Sequence, residues 1–202
     1  GHSDASDGYY TPPIVADFLA EAGVAYAALT DHQTLAGLQA FSEAAARHHI
    51  AGIAGVEIPA TLGGVEIHLL AYGFDPESPA LERLLGGTLN ATQAIAAIHE
   101  ADGIAFLAHP LAIDGGPYTL DEAVERLARA GMDGIEAFYK PYPVETQERL
   151  AALADRLGLL TSGGSDYHGP NQISPGVAMP IARWKQFREA LSDDARNGQH
   201  IP

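Results

Sequence analysis

Residues 25–30 read AYAALT and run straight into Asp31 and His32. A short apolar run that stops at polar residues is the mark of a strand buried on both faces, whose carboxyl end is left open for chemistry. The same pattern recurs down the chain. IAGIAGVE (50–57) ends at Glu57, VEIHLLAYG (65–73) follows a turn at Gly63-Gly64 and carries His68, and GIAFLAHP (103–110) ends at His109 and Pro110. GIEAF (134–138), LLTSGG (159–164, running into Asp166 and His168) and VAMPI (177–181) complete the strand candidates.

Helical patterns lie between these runs. Thr11 before Pro12-Pro13 predicts a helix start, with Ile14, Val15, Phe18, Leu19 and Ala22 on one apolar face before Gly23. Further helices are expected over 37–48, 90–101, 120–130 and 145–157. Thr119 and Glu122 form a capping box for the third of these, Gly131 stops it, and Gly158 closes the fourth. A last helix from Trp184 to about Asp194 turns Trp184, Phe187 and Leu191 inward, while Asp75–Pro79 reads as a loop. Strands alternating with helices at this spacing predict an α/β domain of parallel strands with right-handed crossovers, and seven or so strands favour a closed barrel over an open doubly wound sheet. One domain over residues 1–202 is expected, since this length buries a core without staples.

Composition narrows the function. There is no cysteine, so a metal would be held by nitrogen and oxygen alone. The formal charge of −15, from 26 acidic against 11 basic residues, opposes stable nucleic-acid binding and attachment to an anionic membrane. No apolar run approaches the roughly 20 residues needed to span a bilayer. The polar opening GHSDASDG lacks the features of a signal peptide, and a cytoplasmic location is the expectation.

Metal-type side chains gather at the expected strand ends: Asp31, His32, Glu57, His109, Asp166 and His168, with His68 inside the third strand and His2, Asp4 and Asp7 in the opening segment. Taken singly, each has a structural reading: a turn or cap for Asp31-His32, a satisfied core histidine for His68, a strand exit for His109. Their joint occurrence points to metal. Five imidazoles with Asp7, Glu57 and Asp166 are too many donors for one zinc and suit two or three divalent ions such as Zn, Mn or Fe. His48, His49, His99 and His200 are read as bystanders, and Gly55, Gly163 and Gly164 as allowing tight backbone near the site.

In order, GHSDASDG, ALTDHQTLAG, GVEI, the later His68, FLAHP and GGSDYHG resemble the successive motifs of the PHP (polymerase and histidinol phosphatase) superfamily, over residues 2 to about 170. The resemblance implies a distorted (β/α)7 barrel, a trinuclear metal site and phosphomonoesterase or phosphodiesterase activity. By position it implies that Glu57 bridges two ions, with His2 and Asp166 on the first, His68 and His109 on the second, and Asp7, His32 and His168 on the third. The family opens with His-x-His on its first strand. Here Gly1 takes the x position, so either the first strand is truncated and its first histidine falls ahead of residue 1, which is the favoured reading, or the first metal site is short of a ligand. Some relatives acting on nucleotides carry a helical insertion between the His68-type and His109-type motifs; the separation here leaves no room for a substantial cap.

Three dications against three carboxylates leave a cluster of about +3, which locally reverses the acidic background. Ions that share a water lower its pKa toward about 7 and clamp the attacking and leaving oxygens, so a metal-bridging hydroxide is the expected nucleophile. Asp166 or His168 is the candidate acid for the leaving group, and Lys140, after GIEAF, the candidate grip on a phosphate oxygen of a small phosphorylated substrate. Two rivals remain: a carbon–nitrogen hydrolase of amidohydrolase type, which would call for a metal-bridging lysine where only Lys140 and Lys185 exist, and a non-catalytic metal-binding module. Oligomeric state is left open.

Overall fold

In the computed structural model, residues 1–113, 116–170 and 174–194 are described. The expected helices form at α1 (Pro12–Glu21), α2 (Leu38–Arg47), α4 (Ala91–Glu100), α5 (Leu120–Arg129), α6 (Val144–Leu157) and α7 (Ile181–Asp194), joined by a short α3 (Ala80–Leu85). Their ends obey the local rules. Thr119 Oγ1 accepts from Glu122 N–H while the Glu122 carboxylate accepts from Thr119 N–H, a reciprocal cap worth about 1 kcal/mol. Gly158 ends α6 at φ 69°. On α1 the buried face is Pro12, Val15, Ala16 and Leu19, and Ile14 is turned out to solvent.

The strands are β1 (Tyr26–Ala28), β2 (Ala51–Ile53), β3 (Gly55–Leu62), β4 (Val65–Tyr72), β5 (Leu89–Asn90), β6 (Ile104–Leu107), β7 (Gly134–Tyr139) and β8 (Leu160–Gly164). They do not make the closed, all-parallel barrel the spacing suggested. β1 and β2 pair in parallel as a two-stranded sheet, and the other six are ordered β5-β3-β4-β6-β7-β8. The cause is the Gly63-Gly64 turn. With φ of 60° and 85°, it reverses the chain in two residues, so β3 and β4 form an antiparallel hairpin from Gly55↔Tyr72 to Leu62↔Val65. β4 is antiparallel to β6 as well, and only β6, β7 and β8 run parallel side by side at that end.

VAMPI is not a strand. Pro175 lies just before it and Pro180 within it, Gly176 sits at φ 81°, and the proline nitrogens have no hydrogen to donate to a ladder. Val177 instead packs against Gly163.

Side chains alternate across the six-stranded sheet as the pleat requires. Leu69, Ala71, Ala105 and Leu107 face the core built with α3 to α6, whereas Leu70, Tyr72, Ile104, Phe106 and Ala108 face α7 through Phe187 and Trp184. Glu57, His68 and Glu136 share the parity of this second, inner face, since their sequence neighbours Val56, Ile58, Ile67, Leu69, Ile135 and Ala137 all lie in the first core. A cavity of about 900 Å³ runs along the inner face between β1 and β8 and reaches Glu57, His109, Glu136 and Asp166. At its polar end the two sheets are tied by the opening residues: Thr30 N–H donates to Gly1 O (3.0 Å) and His2 N–H to Tyr167 O (2.8 Å). Among the described residues, no helix is long and apolar enough to cross a membrane.

Candidate metal centre

The anticipated residues reach the site from several different elements. His32 follows β1 and forms an isolated parallel bridge with Glu57 on β3. His68 comes from β4 of the hairpin, His109 from the exit of β6, and Asp166 and His168 from the exit of β8. His2 and Asp7 arrive on the opening segment, which Asp31 holds down: its buried carboxylate accepts from Ser3 N–H (2.6 Å), Ser3 Oγ (2.7 Å) and Ser6 Oγ (2.8 Å). Asp31 is thus committed to fixing the chain on either side of Asp4.

Glu57 lies at the middle, with only 2% of its surface exposed. Its Oε1 is 2.6 Å from His68 Nδ1 and 3.1 Å from His109 Nε2, and its Oε2 is 3.3 Å from His2 Nε2. Asp166 Oδ1 is 3.0 Å from His2 Nε2, and Tyr139 donates its hydroxyl hydrogen to Asp166 Oδ2 at 3.0 Å. Three compact donor groups result, each with its ligand atoms within 4.8 Å of one another: His2–Glu57–Asp166, His32–Glu57–His68, and His2–Asp7–His32–His168. His109 stands beside the second group, its ring 5.1 Å from that of His68. The grouping therefore differs in detail from the one the resemblance implied, since His32 shares the Glu57–His68 set. Asp4 is in none of the three groups.

The electrostatics of these side chains suit cations. Burial pushes the Glu57 carboxyl up, but bonds from His109, His2 and His68 outweigh it and leave the group well below the usual carboxylate range. Asp166 is likewise held down, because the bond from His2 overcomes burial. Burial lowers His2 and His109, yet their carboxylate partners leave both raised, and the Glu57 bond raises His68. His32 is lowered, chiefly by burial. Among the described residues, the side-chain partners of these two ionised carboxylates are imidazoles and one phenol. His2 Nδ1 is buried with no hydrogen bond, and Asp7 Oδ1 lies 3.8 Å from it. His168 Nδ1 lies 2.8 Å from the Asp166 carbonyl, so it carries the hydrogen, and in the neutral ring the Nε2 lone pair faces Asp7, 3.4 Å away. An orphaned buried nitrogen, an oriented lone pair and carboxylates at a focus of histidines are a donor set that fits divalent metal.

Lys140 lines the same cavity, but its Nζ donates to Ser174 O (2.8 Å) and Ser174 Oγ (3.0 Å). His48 pairs with Asp17 and His99 with Asp133, both away from the site; His200 lies outside the described residues. One buried acid escaped the sequence reading. Glu136, inside the apolar run GIEAF, is 5% exposed, and burial pushes its carboxyl up to about 7. The signal was an acid in an otherwise apolar strand. For Tyr139 the sequence held none.

No family model matches the chain. Two relatives align along most of its length: a 3',5'-nucleoside bisphosphate phosphatase of Chromobacterium violaceum, 26% identical over 94% of this chain and 95% of the relative, and a phosphoribosyl 1,2-cyclic phosphate 1,2-diphosphodiesterase of Eggerthella lenta, 26% identical over 89% and 97%. The first alignment runs over 272 positions against 202 residues here, so at least 70 positions of that relative have no counterpart. Among solved structures, one described as an amidohydrolase from Chromobacterium violaceum superposes with a TM-score of 0.83 at 24% identity, covering 94% of each chain. A two-domain protein of Bacteroides vulgatus, described as containing a predicted PHP-like metal-dependent phosphoesterase, superposes with a TM-score of 0.68 at 21% identity, covering 96% of this chain and 61% of that one. The chain therefore shares its fold with the structure described as an amidohydrolase and with the one described as containing a predicted PHP-like metal-dependent phosphoesterase.

Proposed function

We propose that the chain is a metal-dependent phosphoesterase hydrolysing a phosphate mono- or diester of a small molecule or nucleotide. The observation that carries the reading is Glu57, a buried carboxylate whose two oxygens face different donor groups. The two relatives named for phosphatase and diphosphodiesterase activity support the reaction class.

His2, Glu57 and Asp166 would hold one ion, Glu57, His68 and His109 a second with His32 at its side, and Asp7 and His168 a third with His2 and His32 in reach; Mn, Zn and Fe all suit nitrogen and oxygen donors of this kind. When bound, such ions supply Lewis acidity toward the phosphoryl oxygens and make water a nucleophile near neutral pH. The protein's own residues do the rest. Asp31 fixes the opening segment so that His2 and Asp7 keep their places, and Tyr139 fixes Asp166. Lys140 is the cation set to meet a substrate phosphate oxygen, on exchanging its bond to Ser174. Asp166, held ionised, and His168, with Nδ1–H committed to a carbonyl, are suited to ligation and not to proton delivery, so the leaving group takes its proton from solvent.

Many carbon–nitrogen hydrolases of this type carry a metal-bridging lysine, whereas among the described residues the Glu57 carboxylate is met by histidines. Purified protein loaded with Mn, Zn or Fe and offered phosphomonoesters, cyclic phosphates and nucleoside bisphosphates should turn over at least one class. Inactivity with every metal on all of them would refute the proposal.

A further inference from the structure

The mechanism above makes no use of the Glu136 carboxylate, although burying an acid is costly unless a specific bond compensates it. That bond goes to the backbone of a site residue: Glu136 Oε2 accepts from His109 N–H at 2.8 Å. His109 needs such a partner. It leaves β6 at φ 27° and ψ 65°, a conformation that non-glycine residues adopt only where their surroundings enforce it, and it leads directly into the 3-10 turn Pro110–Ala112. Ala108 N–H, one residue earlier, still bonds across to His68 O (3.0 Å), whereas His109 N–H goes to Glu136.

Two further features of the neighbouring strands serve the same contact. The β7–β8 register breaks between Glu136 and Phe138, a bulge of the kind that re-aims side chains beside active sites. On β8, a Cβ on Gly164 would lie 2.0 Å from Glu136 Oε1, so the carboxylate can occupy its place only because that residue is glycine. A bulge, a glycine and a buried acid on two strands thus converge on one amide hydrogen.

We infer that Glu136 is a positioning residue: by gripping His109 N–H it fixes the strained backbone that aims the His109 imidazole at Glu57. The inference rests on the metal reading of Glu57 and His109 but concerns a residue outside every donor group. Removing the grip frees the backbone to relax toward an ordinary conformation and swings the imidazole off its line. Losses of this outer-shell kind amount to roughly 10- to 100-fold in metal affinity.

The test compares Glu136→Gln, which keeps an acceptor oxygen, with Glu136→Leu, which keeps the volume without it, and with Gly164→Ala, which displaces the carboxylate from the opposite strand. Mn binding is followed by titration calorimetry, and His109 amide exchange by ¹⁵N NMR on the metal-free protein; far-UV circular dichroism identifies the folded variants. Slow exchange of the His109 amide and near-normal affinity are expected for wild type and Glu136→Gln. Fast exchange with at least one Mn site weakened tenfold or more is expected for Gly164→Ala, and for Glu136→Leu if it folds. Unchanged His109 exchange and unchanged affinity in folded Gly164→Ala or Glu136→Leu would overturn the inference, as would a loss in Glu136→Gln as large as in Glu136→Leu. Wild type that binds no Mn would strike down the metal reading instead, while the exchange data would still decide whether the grip exists.

Discussion

Replacing Glu57 by Gln keeps the shape of the side chain and removes its charge, which makes it the sharpest perturbation of the centre. One Glu57 oxygen lies 2.6 Å from His68 Nδ1 and 3.1 Å from His109 Nε2, the other 3.3 Å from His2 Nε2, so the carboxylate serves two donor groups at once. Unit charges about 4 Å apart at an effective dielectric of about 20 attract by about 4 kcal/mol. On that scale each of the two ions loses affinity by roughly a thousandfold. Glu57→Gln dialysed against Mn at about ten times the wild-type dissociation constant should therefore retain fewer ions by more than one equivalent, as counted by plasma mass spectrometry on folded protein. Loss of a single equivalent, or of none, would refute the bridging role.

The metal-free protein should be most stable in mildly acidic solution. His2, His68 and His109 have folded pKa values raised above the free imidazole value of about 6.5, so their stabilisation is complete below that pH and disappears as pH rises through the folded values. Glu57 and Asp166 are lowered, so theirs is present above the free carboxyl range of about 4 and disappears only as pH falls through their folded values; His32, lowered by burial, opposes the other histidines. Urea midpoints of chelator-treated protein should fall between about pH 6 and pH 8.5, and divalent metal should remove most of that fall; equal midpoints across the range would contradict the charge balance described. Gly134→Ala, whose Cβ would lie 2.1 Å from the buried Phe106 ring on β6, should destabilise by about 1–3 kcal/mol through overpacking, lowering the melting temperature by several degrees. A melting temperature equal to wild type would show that the β6–β7 contact is slacker than the geometry states.

The strand-end residues were readable because an apolar run closing on Asp, Glu or His leaves a local trace, and most of the motifs from Asp31 to His168, though not His68 within its strand, have one. The helices were readable for the same reason, as Thr119, Glu122 and Gly158 act within a turn of chain. Strand direction was not local, yet one clue existed: a two-residue Gly63-Gly64 turn can join only antiparallel strands, which rules out an all-parallel barrel. In VAMPI, hydrophobicity outweighed Pro175 and Pro180 in the reading and lost to them in the structure. Tyr139 and the Asp31 clamp are tertiary facts, invisible until β7, β8 and the opening segment are brought together.

Anomalous scattering from crystals grown with Mn or Zn, collected on both sides of the absorption edge, tests the convergence itself. Two or three peaks are expected among His2, Asp7, His32, Glu57, His68, His109, Asp166 and His168, with Glu57 between two of them. Peaks elsewhere on the molecule, or none at these side chains in metal-saturated crystals, would contradict that convergence.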